Sequence, residues 1–124
     1  MSVQKIAIPS EGDGGLESTR SGHFGHCDVF TIVELAEGKI AGVEAVPNAE
    51  HSQGGCMVPV NLLAGLGVDV LICGGMGLRP LQGFQGAGID VYFDRTHSRV
   101  EPLIQDFIAG KLQKMSPAMV CGGH

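Results

Sequence analysis

The sequence predicts a three-layer α/β domain with a mixed five-stranded sheet and three helices. The first observation is the order of apolar segments, β-β-β-α-β-α-β-α along the chain. The second is a set of strand–helix–strand crossovers, which imply parallel pairing of the later strands. The third is a turn-linked pair of strands near the N-terminus, which adds antiparallel pairing.

The first half of the chain supplies three predicted strands. Val3 to Ile8 is predicted as the first strand and is followed by proline. Asp28 to Leu35 and Lys39 to Val46 are the next two strands, and the Glu37-Gly38 pair between them predicts a hairpin turn. Residues 9–27 are rich in glycine and lack periodicity. A loop of that length in a small domain is usually functional or disordered.

The second half of the chain alternates helices with strands. A first helix begins within Cys56–Pro59 and is capped at Gly67. Val68 to Cys73 is nearly all apolar, as expected of a central strand covered on both faces. A short helix over residues 78–85 then leads to the last predicted strand, Ile89 to Phe93.

The last helix is predicted from a capping box and from the apolar spacing that follows it. Ser98 and Glu101 form an S-x-x-E box, and apolar residues then recur at helical spacing from Val100 to Ile108. Residues 111–124 have the composition of a flexible tail, which sets the expected domain at residues 1–110.

Length and composition limit the function classes. The chain has 124 residues, the size of one domain, and a formal net charge of −5. This charge argues against general nucleic-acid binding, which needs a basic face. Because we find neither a bilayer-length apolar run nor a signal peptide, we expect a cytoplasmic protein. Its four cysteines are then expected as thiols or ligands rather than as structural disulfides.

Candidate site residues cluster in three loops. We expect the loops to converge at the carboxyl ends of the parallel strands, where open α/β sheets bind ligands. The candidates are Arg20, Ser21, His23, His26 and Cys27 in the first loop, Asn48, His51, Ser52, Gly54, Gly55 and Cys56 in the second, and Cys73, Gly74, Gly75, Met76, Gly77 and Arg79 in the third.

The chemistry of these loops favours an anionic ligand that contains a soft metal or an iron–sulfur group. Glycines let backbone amides approach a ligand, and a helix N-terminus directly behind them adds partial positive charge. Imidazole and thiolate suit soft metals and iron–sulfur chemistry. The loops contain no dinucleotide fingerprint, Walker A sequence or G-x-S-x-G elbow. Since general bases are also scarce, the set favours binding over catalysis.

At these loops the sequence resembles the dinitrogenase iron–molybdenum cofactor-binding family. The matching segments are Ser21 to Asp28, Gly54-Gly55, and Gly67 to Gly77 with its continuation over Gly88 to Tyr92, and the resemblance covers residues 3–109. Members of this family are small nitrogenase accessory proteins that carry the cofactor or its precursors. The family also includes stand-alone domains such as the orange protein, which holds a mixed molybdenum–copper sulfide cluster.

The resemblance implies a ribonuclease-H-like fold used for binding without catalysis. Its ligand would be an anionic molybdenum- or iron-containing sulfide cluster, with copper as a further candidate metal. A client or cluster-donor protein is a further expected partner. Neither nucleic acid nor a membrane is expected as a partner. In this interpretation Arg20 and Arg79 neutralise the anion, His23, His26 and His51 donate hydrogen bonds or ligate, Gly54, Gly55, Gly74, Gly75, Met76 and Gly77 line the pocket, and Cys27, Cys56 and Cys73 are the candidate metal ligands.

Two other function classes stay open at this point. A thiol or persulfide transferase would need an exposed cysteine whose pKa is strongly lowered by a neighbouring histidine or arginine. A regulatory module would dock on another protein through the same exposed loops.

Overall fold

The computed structural model describes residues 3–21, 27–47, 57–74, 78–94 and 97–114. These residues form six strands and three helices: β1 (Val3–Ser10), β2 (Val29–Ala36), β3 (Lys39–Pro47), α1 (Met57–Gly65), β4 (Val70–Cys73), α2 (Leu78–Gly86), β5 (Asp90–Phe93), α3 (Val100–Ile108) and β6 (Gln113–Lys114). The predicted α/β class, the mixed sheet and the three helices are confirmed. The predicted number of strands is wrong, because the sheet has six rather than five.

The sheet has the strand order β3-β2-β1-β4-β5-β6. Strand β4 pairs in parallel with both β1 and β5, whereas the β1–β2, β2–β3 and β5–β6 pairs are antiparallel. The three parallel strands therefore end on the same side, at Ser10, Cys73 and Phe93. We call this side the carboxyl rim of the sheet.

The predicted hairpin turn is confirmed at the opposite side of the sheet. Glu37 and Gly38 have φ values of 54° and 77°. Positive φ at both central residues is typical of the two-residue type I′ turn, whose twist matches that of the flanking strands. This turn joins β2 to β3.

The sixth strand lies where the sequence predicts the start of a flexible tail. Gln113 pairs with Phe93 and Lys114 pairs with Tyr92, and the Lys114 ammonium lies 3.1 Å from the Asp90 carboxylate. A two-residue strand of polar residues has no hydropathy pattern, so its pairing with β5 could not be predicted. The rest of the predicted tail, residues 115–124, lies outside the described residues.

Helices cover the sheet on both faces. On one face, α1 and α2 pack on a core that includes Ala7, Phe30 and Leu71. On the other face, α3 packs on a second core that includes Ile6 and Ile72. Strand residues alternate between the two cores because successive side chains point to opposite faces of a sheet. The predicted three-layer arrangement is therefore confirmed.

The N-terminus of α3 is capped by backbone from another part of the chain. Its N-cap residue is Arg99, which makes no side-chain cap hydrogen bond, so the predicted capping box of Ser98 and Glu101 is wrong. Instead, the Val100 amide donates to the Ser18 carbonyl at 3.0 Å and the Glu101 amide to the Leu16 carbonyl at 2.9 Å. The segment that follows β1 therefore supplies the acceptors that a side-chain cap would otherwise provide.

Candidate functional site

The carboxyl rim brings together the described parts of the first and third candidate loops. Arg20 forms an isolated bridge with Ser10 at the end of β1, and the Ser21 amide donates to the Pro9 carbonyl at 2.8 Å. Cys73 ends β4, the strand beside β1, and Gly74 follows it. The predicted convergence of these two loops is thus observed for the residues that the structure describes.

Arg20 is held at both its backbone and its side chain. Its amide donates to the Ser98 carbonyl at 2.8 Å. Its guanidinium donates from Nε to the His97 carbonyl at 2.9 Å, and a longer contact of 3.4 Å joins Nη1 to the Ser21 carbonyl. The side chain is therefore anchored to the segment between β5 and α3 rather than extending into solvent.

Gly74 makes room for this guanidinium. A Cβ atom at position 74 would lie 2.9 Å from Arg20 Nη1 and 3.6 Å from the Asp94 carbonyl oxygen. The lack of a side chain lets the charged end of Arg20 lie directly against the backbone that leaves the central strand. The predicted role of this glycine was close approach of a ligand, and the structure shows close approach of an arginine.

Cys27 and Cys73 lie beneath the rim in apolar surroundings. They are only 5% and 2% exposed, and both belong to the core that α1 and α2 cover. Burial raises the pKa of the Cys27 thiol from 9.0 to about 11; backbone hydrogen bonds at Ser10 and at Cys27 itself oppose the shift, and the Asp28 charge adds to it. Cys27 is therefore protonated at neutral pH, which is the reverse of what a thiol transferase needs.

A group of three ionisable side chains at the rim was missed by the sequence analysis. His97 Nδ1 lies 3.0 Å from Asp94 Oδ2, and its Nε2 lies 2.9 Å from Asp106 Oδ2 in α3. The His97 amide also donates to Asp94 Oδ2 at 3.0 Å. Asp94 directly follows β5, so the carboxyl-end argument applied to that strand would have found it. No comparable signal in the sequence links His97 to Asp106.

Most of the other predicted site residues lie outside the described residues. They are His23, His26, Asn48, His51, Ser52, Gly54, Gly55, Cys56, Gly75, Met76 and Gly77. Arg79 lies in the first turn of α2, with its side chain outside the description. Across the described ranges, no group of three or more histidine, cysteine, aspartate or glutamate side chains has an arrangement that could hold a metal ion.

Within the described parts of the chain, every helix is too short or too polar to cross a bilayer.

Comparison with known proteins gives concordant results. An uncharacterized protein of Methanocaldococcus jannaschii is 33% identical over 114 residues, which cover 90% of this chain and 92% of that protein. The structure resembles the apo form of the orange protein from Desulfovibrio gigas, with 30% identity, a TM-score of 0.81 and coverage of 91% and 93%. A Thermotoga protein of the DUF35 family is 30% identical, with a TM-score of 0.73 and coverage of 90% and 92%.

Almost the whole domain matches one known protein family. Residues 4–110 match the family described as dinitrogenase iron-molybdenum cofactor. The match begins in β1 and ends just after α3, so it contains the carboxyl rim and both cores. The chain therefore belongs to the dinitrogenase iron-molybdenum cofactor family.

Proposed function

We propose that this chain is a non-catalytic carrier of an anionic molybdenum- or iron-containing sulfide cluster. The cluster would be cargo held at the carboxyl rim and passed to or from a client or donor protein in the cytoplasm. The ribonuclease-H-like topology implied by the resemblance is part of the same proposal. Membership of the family and likeness to the orange protein support it. The observation that carries it is the Arg20 guanidinium lying on Gly74.

Arg20 provides charge and hydrogen-bond donors at the rim. A guanidinium has five N–H groups and keeps its charge at any physiological pH. Within the described residues, the bonds to His97 and Ser21 use two of those groups. The remaining donors can serve the sulfides of a cluster, with the N-terminal end of α2, which begins at Leu78, as a second source of partial positive charge.

The described geometry favours electrostatic attachment over ligation by the buried thiols. A cysteine that ligates a metal must lose its proton, and burial opposes that loss at Cys27 by raising the pKa of the thiol to about 11. Cys73 is 2% exposed. We therefore assign these two cysteines to the wall beneath the cargo, while ligation by Cys56 stays a prediction.

The first experiment is reconstitution of the apo protein without oxygen. We expect tetrathiomolybdate with copper(I), or an iron–sulfur precursor, to give a coloured complex with a fixed ratio of metal to protein. Visible absorption after gel filtration and elemental analysis would measure that ratio. Failure of all these probes to remain with the folded protein would end the carrier proposal.

Two variants test the position of the site. Arg20→Gln removes the charge and Gly74→Ala displaces the guanidinium, since the new Cβ would lie 2.9 Å from Nη1. We expect each to weaken binding of the probe about tenfold, equivalent to about 1.4 kcal/mol.

Each variant has a matched control. Lys39→Gln makes the same change in charge at the β2–β3 turn, and Gly86→Ala adds a Cβ where nothing lies within 4 Å. Both controls should bind like the unsubstituted protein. Equal losses in variants and controls would place the site elsewhere.

A further inference from the structure

We infer that His97, clamped between Asp94 and Asp106, is the positioning residue that holds Arg20 for anion binding. The inference rests on the proposed function, because it concerns how the same rim presents its positive charge. It goes further by assigning a role to three side chains that lie behind the cargo.

The clamp fixes the backbone to which Arg20 is bonded. The His97 carbonyl accepts from Arg20 Nε at 2.9 Å, and the adjacent Ser98 carbonyl accepts from the Arg20 amide at 2.8 Å. Two successive carbonyls of one short segment therefore hold both the backbone amide and the guanidinium of Arg20. Any shift of this segment would move the guanidinium with it.

The same segment is tied to the sheet and to α3. The Asp94 carboxylate binds both the amide and the ring of His97, and the Asp94 amide donates to the Cys73 carbonyl at 3.0 Å. On the other side of the ring, His97 Nε2 meets the Asp106 carboxylate at 2.9 Å. The imidazole thus bridges the end of β5 to the last turn of α3.

The His97 ring also pairs with the two carboxylates near the proposed anion site. Asp94 is only 6% exposed, and a buried carboxylate needs a partner. Each nitrogen of the His97 ring lies within hydrogen-bond distance of a carboxylate oxygen, so the ring occupies both acids. If the ring is removed, the segment whose carbonyls hold Arg20 loses its side-chain link between Asp94 and Asp106. The guanidinium would then lose its fixed position beside Gly74.

The first test uses the apo protein, so it does not depend on any cargo. The Arg20 Nε–H signal in a ¹H–¹⁵N spectrum, assigned with Arg20→Lys, should exchange slowly with solvent because it is hydrogen-bonded. We expect His97→Ala to speed that exchange at least about tenfold, and Asp106→Asn to act in the same direction. Asp90→Asn, which removes a carboxylate at the far end of β5, is the matched control. Unchanged exchange in folded His97→Ala or Asp106→Asn would overturn the inference.

The second test is a double-mutant cycle on tetrathiomolybdate binding, with copper(I) present. His97→Ala should weaken binding about tenfold in the unsubstituted protein but less than about twofold when Arg20 is already glutamine. Equal losses in both backgrounds would show that His97 does not act through Arg20. Asp106→Glu should restore part of the affinity that Asp106→Asn loses. If the unsubstituted protein binds no probe, the proposed function fails, and the exchange measurement still decides the positioning role.

Discussion

At the scale of single residues, the rim separates charged from sulfur-bearing side chains. Arg20 lies against Gly74 at the surface of the sheet, whereas the thiols of Cys27 and Cys73 are buried below it. A soft ligand set predicted from composition is therefore split between two environments. The Arg20 guanidinium brings its positive charge to the rim, whereas burial raises the pKa of the Cys27 thiol to about 11.

The raised pKa of Cys27 predicts a loss of stability at high pH. Below pH 9.0 the thiol is protonated in both states; above it the unfolded chain releases the proton first, since the folded pKa is about 11. Unfolding then releases a proton, so rising pH favours it. We expect the free energy of unfolding to fall by about 2 kcal/mol across this window.

Urea denaturation of the reduced protein at several pH values from 8 to 11 would measure this loss. Cys27→Ala isolates it, because every other side chain is common to both proteins. The difference in stability between the two proteins should shrink as the pH rises. A difference that does not depend on pH would contradict the assignment of a raised pKa.

Some residues of the candidate site could be predicted from the sequence and others could not. Arg20 and Gly74 were found because loops that follow parallel strands meet at one side of a sheet. His97 and Asp106 were missed because their contact depends on how α3 crosses the sheet, which no local pattern encodes. For His23, His51 and Gly75, which lie outside the described residues, the expected convergence stays a prediction.

At the scale of elements, the segment after β1 is a packed unit rather than an open loop. Its Gly15 amide donates to Thr31 Oγ1 at 3.0 Å, and the Thr31 hydroxyl meets Ser10 Oγ at 2.7 Å. Since Ser10 Oγ donates to the Ile8 carbonyl, Thr31 is the donor in that hydroxyl pair. The same segment caps α3, so it joins the hairpin to the helix that positions His97.

Gly14 is the residue on which this packing depends. It has a φ of +76°, and a Cβ there would lie 2.8 Å from Val29 Cγ2 and 3.0 Å from Ala45 Cβ. We expect Gly14→Ala to destabilise the protein by about 3 kcal/mol, from left-handed strain plus overlap with the hairpin. Gly12→Ala should cost only about 1 kcal/mol, because Gly12 shares the positive φ but has nothing within 4 Å.

The free energies of unfolding from urea titrations would compare the two variants. Both substitutions are the same chemically and lie two residues apart, so the difference isolates the overlap. Equal losses would mean that the segment does not pack on β2 and β3 in solution.

The elements themselves were largely predictable, and the two errors have one cause. Alternation, helical spacing and glycine turns are local signals, and they predicted five strands, three helices and the hairpin. The cap of α3 and the strand β6 both rely on a partner from elsewhere in the chain. A capping box and a polar tail are reasonable local interpretations that tertiary hydrogen bonds replaced.

At the scale of the whole molecule, a local positive charge is set in an acidic protein. The formal net charge is −5, with thirteen acidic against eight basic side chains. An approaching anion is therefore repelled at long range and attracted close to Arg20. Such an arrangement would slow non-specific capture of anions while leaving the bound state intact.

This opposition predicts an unusual dependence of cargo binding on salt. The screening length falls from about 30 Å at 0.01 M to about 8 Å at 0.15 M salt, so salt removes the long-range repulsion first. The association rate of tetrathiomolybdate, a dianion, should rise about two- to tenfold over this range, while the dissociation rate changes less than about twofold. Stopped-flow absorbance in the visible would follow both rates. Lys39→Glu, which makes the net charge more negative far from the rim, should steepen the rise. Association that slows with added salt would show instead that attraction at the rim dominates at long range.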